Sequence, residues 1–175
     1  MFYRIIFFTL FFLSIQLNAN VLNGIKTFDA FFTQTIVNST ENKIIYTGKV
    51  YIKEPSKILW QYQTPVVKNV YILDNFAIVD EPELEQAIYT NLDKEINLLQ
   101  LVQKAKKIDE TNYTTTLYDV NYTIKIENDK IRSISYKDEL ENSVVIEFSK
   151  IKQNQVIRDD VFQFLPPDSY DIIRK

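Results

Sequence analysis

The chain has 175 residues, of which 46% are hydrophobic and 14% aromatic, and its formal net charge is −3. This length suggests a single domain with an ample core, and the weak negative charge argues against a protein that binds a nucleic acid backbone. The sequence has no His, no Cys and only two glycines, which excludes His-dependent catalytic triads, thiolate chemistry, disulfides and glycine-rich phosphate loops.

The first predicted element is an export signal. A short segment ending in the positive charge of Arg4 precedes residues 5–17, an apolar run that is too short for a comfortable membrane span. We predict a signal peptide over residues 1–20, cleaved after Ala19 or Asn20, and one mature domain over residues 21–175. An uncleaved N-terminal anchor is the alternative. No Cys follows the apolar run, so lipidation of an N-terminal cysteine is not expected.

Most of the remaining chain alternates apolar and polar residues with a period of two, which predicts strands with one wet face. Turn-forming residues separate these runs at 38–40, 54–56, 74–75, 128–129 and 138–139. Strands at this spacing favour an antiparallel meander that curls toward a barrel. The predicted apolar faces carry Ile44, Tyr46, Gly48, Val50 and Ile52; Ile58, Trp60 and Tyr62; Tyr122, Ile124 and Ile126; and Val144, Ile146 and Phe148.

Three segments interrupt the strand pattern. We predict a short helix over Val21–Phe28, a single turn over Pro82–Ala87 and a longer helix over Lys94–Lys106. Asp93 can cap the longer helix, and the lysines at 104, 106 and 107 suit its C-terminal dipole. So few helices cover little of a concave apolar face. Either the sheet closes on itself, or a cavity remains beneath a helical lid.

Five short motifs, in order along the predicted mature chain, resemble those of the LolA family of periplasmic lipoprotein carriers. Each motif alone is weak, and the specificity comes from their order behind an export signal. They are Phe28-Asp29-Ala30-Phe31-Phe32-Thr33-Gln34; Gly48-Lys49-Val50-Tyr51-Ile52-Lys53-Glu54-Pro55; Ile58-Leu59-Trp60 with Pro65; Glu85-Gln86-Ala87; and Phe162-Gln163-Phe164-Leu165-Pro166-Pro167.

The resemblance implies a mainly β fold, in which a curved antiparallel sheet, a half-open and incomplete barrel, is covered by a lid of short helices. It implies a periplasmic carrier that holds the acyl chains of lipoproteins between sheet and lid. The carrier would be loaded by an inner-membrane ABC-type release complex and would serve an outer-membrane acceptor where one exists. In the family that acceptor bears a lipidated N-terminal Cys, so the absence of Cys favours the carrier.

The residues expected to line the cavity follow from the strand faces and the predicted helix. We expect the carrier to act as a monomer without a cofactor, a metal or a nucleic acid partner. The alternative for the lining residues is that they are ordinary core residues under a helix. The candidates are Val50, Ile52, Ile58, Trp60 and Tyr62 on the sheet side, and Leu98, Leu99 and Val102 on the lid side.

One position departs from the family pattern. Glu54 stands before Pro55, where the resemblance implies an arginine that bonds toward the lid and holds the empty cavity shut. An ionised carboxylate accepts hydrogen bonds and cannot donate them, so Glu54 cannot replace that arginine as a donor. Lys53 or Lys57 offers a less directional substitute. Glu54 is therefore a candidate latch position whose chemistry is altered.

Other functional classes have weaker support. An envelope lipid or lipoprotein-stress sensor with the same fold is the main alternative, and an enzyme of lipid hydrolysis is disfavoured because the chain has no His. Carboxylate clusters at Asp159-Asp160 and at Glu81, Glu83 and Glu85 fall in predicted turns, which favours a solvated surface over catalysis. The lysines of the predicted helix end are either solvated or contacts for anionic headgroups or an acidic partner.

Overall fold

The computed structural model describes residues 24–92 and 98–175, apart from the side chains of Leu98 and Gln100. Within these ranges the chain forms twelve strands and one α-helix. The elements are β1 (Thr27–Val37), β2 (Lys43–Lys53), β3 (Lys57–Thr64), β4 (Lys68–Leu73), β5 (Phe76–Glu81), β6 (Gln86–Asn91), α1 (Leu98–Gln103), β7 (Lys106–Lys107), β8 (Asn112–Leu117), β9 (Val120–Glu127), β10 (Lys130–Lys137), β11 (Ser143–Gln153) and β12 (Asp171–Arg174).

All twelve strands belong to one open, curved sheet. Their order is β12-β6-β5-β4-β3-β2-β1-β11-β10-β9-β8-β7, so β1 joins one meander running from β2 to β6 to a second running from β7 to β11. Neighbouring strands are antiparallel except β12, which pairs in parallel with β6. Short turns join most of the strands, and such turns connect antiparallel neighbours. The predicted half-open sheet is confirmed.

The concave or inner face of the sheet carries the main core. In β9 the alternation is regular, since Tyr122, Ile124 and Ile126 are buried while Lys125 between them is exposed. The apolar faces predicted in β2, β3 and β11 also lie on this inner face. Helix α1 packs onto it and contributes Leu99, Leu101, Val102 and the following Ala105 to the same core.

A smaller apolar cluster covers the outer face of β3–β6. Leu59, Tyr71, Ile78 and Ala87 point to this side and meet the C-terminal segment 157–172. Within that segment Ile157 and Phe162 are buried, and Phe164 lies against Tyr71, Tyr89 and Tyr170. The C-terminal segment then ends as edge strand β12. The outer face of this half of the sheet is therefore covered by the C-terminal segment.

Two predicted helices differ from the structure. The helix over Lys94–Lys106 ends at Gln103, because Lys106 and Lys107 pair with Thr114 and Tyr113 as β7. Its predicted basic C-terminal end is therefore wrong, and residues 93–97 lie outside the described residues. The helix over Val21–Phe28 is wrong at its end, because Phe28 pairs with Ile52 in the sheet; residues 21–23 and the predicted signal peptide also lie outside the described residues.

The turn predicted over Pro82–Ala87 is present but shorter. A 3₁₀ turn spans Pro82–Leu84, and Glu85 adopts the left-handed conformation that leads into β6. Gln86 and Ala87 thus belong to a strand, and Ala87 is buried in the outer cluster. None of the described helices is long and apolar enough to cross a membrane.

Candidate acyl-binding face

The five sheet-side candidates lie together on the inner face, since β2 and β3 are antiparallel neighbours whose register pairs Val50 with Trp60 and Ile52 with Ile58. Val50, Ile52 and Ile58 are at most 1% exposed, whereas Trp60 and Tyr62 are only partly buried. The predicted set is therefore divided between a closed end and an open end of one apolar surface. Its contact with acyl chains stays a prediction.

Helix α1 closes the end of the inner face where β2 turns into β3. Its position there follows from the side chain of Gln103, whose Nε2 donates a 2.8 Å hydrogen bond to Oε1 of Glu54 in the β2–β3 turn. On the lid side, Leu99 and Val102 are buried against the same core as the sheet-side candidates. The side chain of Leu98, the third lid candidate, lies outside the described part of the chain.

Glu54 therefore contacts the helix predicted to form the lid. The sequence excludes Glu54 as a donor, and the structure supplies the donor from the helix instead, through the amide of Gln103. Lys53 and Lys57, the substitutes considered above, point elsewhere, because both ammonium groups bind Oδ1 of Asp159, at 3.0 and 2.9 Å. This hydrogen bond can hold α1 against the turn. The helix is the donor and the turn is the acceptor, the reverse of the arrangement implied by an arginine at position 54.

The open end of the inner face is a cluster of partly buried aromatic side chains, here called the aromatic mouth: Tyr46, Trp60, Tyr62 and Tyr136. Phe32 connects them to the core, with its ring edge-on to Trp60 at 4.9 Å and to Tyr62 at 5.2 Å between centroids. Tyr46 contacts Tyr62 at 5.7 Å. Ile36, Ile72, Tyr113, Leu117 and Val120 are also partly buried and pack against the same core.

Two tyrosines of the mouth, Tyr62 and Tyr136, remain neutral hydrogen-bond donors. Burial, with smaller contributions from Tyr136 and Tyr46, raises the pKa of Tyr62 to about 12. Burial also raises the pKa of Tyr136, next to Tyr122 and Asp138. The hydroxyl of Tyr62 donates to Oε1 of Gln34 at 3.2 Å. The mouth therefore combines apolar ring surface with uncharged hydroxyl groups.

Gly48 is the reason why Phe32 reaches Trp60. Gly48 on β2 lies directly opposite Phe32 on β1, and the Phe32 ring occupies the space into which a side chain at position 48 would point. A Cβ at Gly48 would stand 2.8 Å from Cε1 of Phe32. The absence of a side chain at this position thus allows the ring to cross β2 toward β3.

Several residues of this site were not among the candidates taken from the sequence. Phe32 and Tyr46 lie on the inner face, and their alternation with Val50 on β2 and with Phe28 on β1 is the signal that identifies them. Gln103 has no comparable signal, because its role depends on where α1 docks. In the weakly supported clusters, Asp159 pairs with lysines at the surface, and Glu81 accepts a hydrogen bond from Gln86.

Comparisons with known proteins agree on one family. Residues 23–119 match the profile of the family described as outer membrane lipoprotein carrier protein LolA. The chain is 40% identical over 168 residues to the outer-membrane lipoprotein carrier protein of Campylobacter jejuni, covering 95% of this chain and 98% of that protein. It is 35% identical over 154 residues to the protein of the same name from Wolinella succinogenes, covering 87% and 89%.

Solved structures support the fold. A LolA superfamily protein from Nitrosomonas europaea superposes with a TM-score of 0.53 at 12% sequence identity, covering 83% of this chain and 94% of that one. An uncharacterized conserved protein from Thermus thermophilus gives a TM-score of 0.54 at 10% identity, covering 87% and 93%. At these identities the superpositions bear on the architecture alone.

Proposed function

Because the chain belongs to the LolA family of outer membrane lipoprotein carrier proteins, we propose that the inner face of its sheet holds the acyl chains of a client lipoprotein. The protein is a periplasmic lipoprotein carrier and not an enzyme. The observation that supports the proposed site is the continuous apolar surface from the buried residues under α1 to the partly exposed aromatic mouth. The mouth receives the first part of an acyl chain, and α1 covers the rest.

The energetics explain why a carrier needs this surface. Burying one methylene stabilises a complex by about 0.8 kcal/mol. A triacylated anchor has on the order of forty methylenes, so exposing its acyl chains fully to water costs roughly 30 kcal/mol. A carrier must offset most of that cost and still release the anchor. Aromatic rings and branched aliphatic side chains provide apolar contact without strong directional bonds, which suits both requirements.

Acyl chains reach the closed end only if α1 moves away from the sheet. Val50, Ile52 and Ile58 then become contacts of the acyl chains in place of contacts of the helix, with Leu99 and Val102 lining the displaced lid. We propose that an inner-membrane ABC-type release complex supplies the energy for this displacement, and that an outer-membrane acceptor, where one exists, receives the client. In our proposal the carrier acts as a monomer.

The proposed function is tested by coexpressing the chain with a tagged lipoprotein. We expect the two to purify from the aqueous fraction as a complex of one carrier and one client. A client whose acylated cysteine is replaced by serine is the control and should not bind. If the chain bound both clients equally, or bound a signalling protein and no acylated client, the acyl-binding proposal would fail in favour of a regulatory binding module.

The contact between Gln103 and Glu54 gives a second prediction, that it holds α1 closed. Replacing either residue with Ala should raise the equilibrium constant for opening of α1 about fivefold. The reason is that a partly exposed hydrogen bond of this kind stabilises the closed position by about 1 kcal/mol. Hydrogen exchange at the amides of α1 measures this opening. The double variant should open no more than either single variant, since both changes remove the same bond. Additive effects of the two changes would show that the pair is not a latch.

A further inference from the structure

A lysine stands at the edge of the aromatic mouth. Lys68 is the first residue of β4 and pairs with Tyr62 in the sheet, so both side chains lie on the inner face. Its Nζ is 4.7 Å from the centroid of the Tyr62 ring and 5.7 Å from that of Tyr46. A positive charge thus lies directly at the entrance to an otherwise apolar surface.

This charge has no carboxylate partner among the described residues. The register of β4 and β5 places Glu81 next to Lys68 across the sheet, but the carboxylate of Glu81 is bound by the amide of Gln86 on its other side. The ammonium group turns instead toward the tyrosine rings. Cation–π contacts leave the N–H groups of an ammonium free to donate to an anion.

The surroundings of Lys68 match the two ends of an amphiphile. On one side lies the ammonium group of Lys68, over the rings of Tyr62 and Tyr46. On the other side lie Phe32, Trp60 and the apolar surface that leads toward α1. A headgroup with a negative charge fits the first set, and an acyl chain fits the second.

We propose that Lys68 binds the headgroup of an anionic single-chain amphiphile whose tail lies on the inner face. This inference rests on the proposed acyl-binding face and adds a ligand class to it. The shared chemistry is a carboxylate or a phosphate on one acyl chain, as in a free fatty acid or a lysophospholipid. Such a ligand competes with the client lipoprotein for the same surface.

The test compares ligands with the same tail and different heads. Binding of hexadecanoic acid and of hexadecanol to the purified mature chain is measured at about pH 8, where the acid is ionised. We expect the acid to bind about tenfold more tightly, because a charge-assisted hydrogen bond is worth at least that ratio. Palmitoyl lysophosphatidic acid in the same assay distinguishes a preference for phosphate from one for carboxylate.

Two lysine variants assign this preference to one residue. Lys68→Met should bring the acid to the affinity of the alcohol and leave alcohol binding within about twofold, well below the tenfold preference expected of the charge. Lys43→Met, which removes an exposed lysine at the start of β2, two strands away from β4, should keep the preference. An equal preference in both variants, or none in the unmodified chain, would overturn the headgroup site. If neither acid nor alcohol binds, the acyl-binding face itself is wrong.

Discussion

Replacing Trp60 with Asp should abolish the complex with a client lipoprotein and leave the sheet folded. Trp60 lies between the closed and open ends of the inner face, with its ring edge-on to Phe32. A carboxylate there places a charge on the surface that acyl chains must cover, and an unpaired charge in an apolar site costs several kcal/mol. Each 1.4 kcal/mol is a factor of about ten in affinity, so the loss should exceed about 100-fold.

Two further variants separate lost binding from lost folding. Gln61→Asp puts the same charge on the next residue of β3, which points to the opposite face of the sheet, and should leave client binding unchanged. Trp60→Phe keeps an aromatic ring in the mouth and should retain most of the binding. Circular dichroism checks the strand content of each variant. Client binding retained by Trp60→Asp, or lost equally by Gln61→Asp, would remove Trp60 from the acyl-binding face.

The inner face could be predicted from sequence because the sheet obeys a local rule. On β9 Tyr122, Ile124 and Ile126 alternate strictly with polar residues, and on β2 the alternation is clear from Tyr46 to Val50; alternation alone decides which side chains share a face. The β9 face lies in the core as expected, and on β2 Val50 and Ile52 are buried while Ile44 at the start of the strand is exposed. In β1 the rule is weaker, since Phe31 breaks the alternation with a large apolar residue that is partly exposed on the outer face. Which side chains of β1 face the core is established only by its pairing with β2 and β11.

Features set by distant contacts could not be predicted in this way. Lys106 and Lys107 resemble a helix end in sequence, yet they pair with β8 and close one edge of the sheet. The outer cluster depends on a C-terminal segment that binds β3–β6 from far along the chain, as Asp159 does when it pairs with Lys53. No local pattern in either segment specifies its partner.

The candidate site likewise contains residues that local sequence predicts and residues that only tertiary contacts determine. The sheet-side residues follow from strand alternation, whereas the contact of Glu54 with Gln103 requires both the β2–β3 turn and the docked position of α1. Sequence chemistry correctly excludes Glu54 as a donor. It does not reveal that the helix supplies one, since an amide can serve as donor or acceptor and its partner is chosen by tertiary packing.

The two glycines of the chain should respond differently to the same substitution: alanine should destabilise the fold at Gly48 and have little effect at Gly24. In Gly48→Ala the new Cβ would lie 2.0 Å from the carbonyl oxygen of Gln61 and less than 3 Å from two carbons of the Phe32 ring. The carbonyl belongs to the paired strand β3 and cannot move without disturbing the ladder between β2 and β3. We expect a loss of about 3 kcal/mol in the free energy of unfolding, at the upper end of overpacking effects.

Gly24→Ala is the matched control, because nothing lies within 4 Å of the Cβ that it would add. Its free energy of unfolding should stay within about 0.5 kcal/mol of the parent chain. Urea denaturation measures both values, and Trp60, the single tryptophan, reports on its ring contact with Phe32 through its fluorescence. Equal stability of the two variants, with unchanged Trp60 emission in Gly48→Ala, would mean that Phe32 does not cross β2 at Gly48. The aromatic mouth would then lack its connection to the core, and the continuous apolar surface proposed for acyl chains would be interrupted between its open and closed ends.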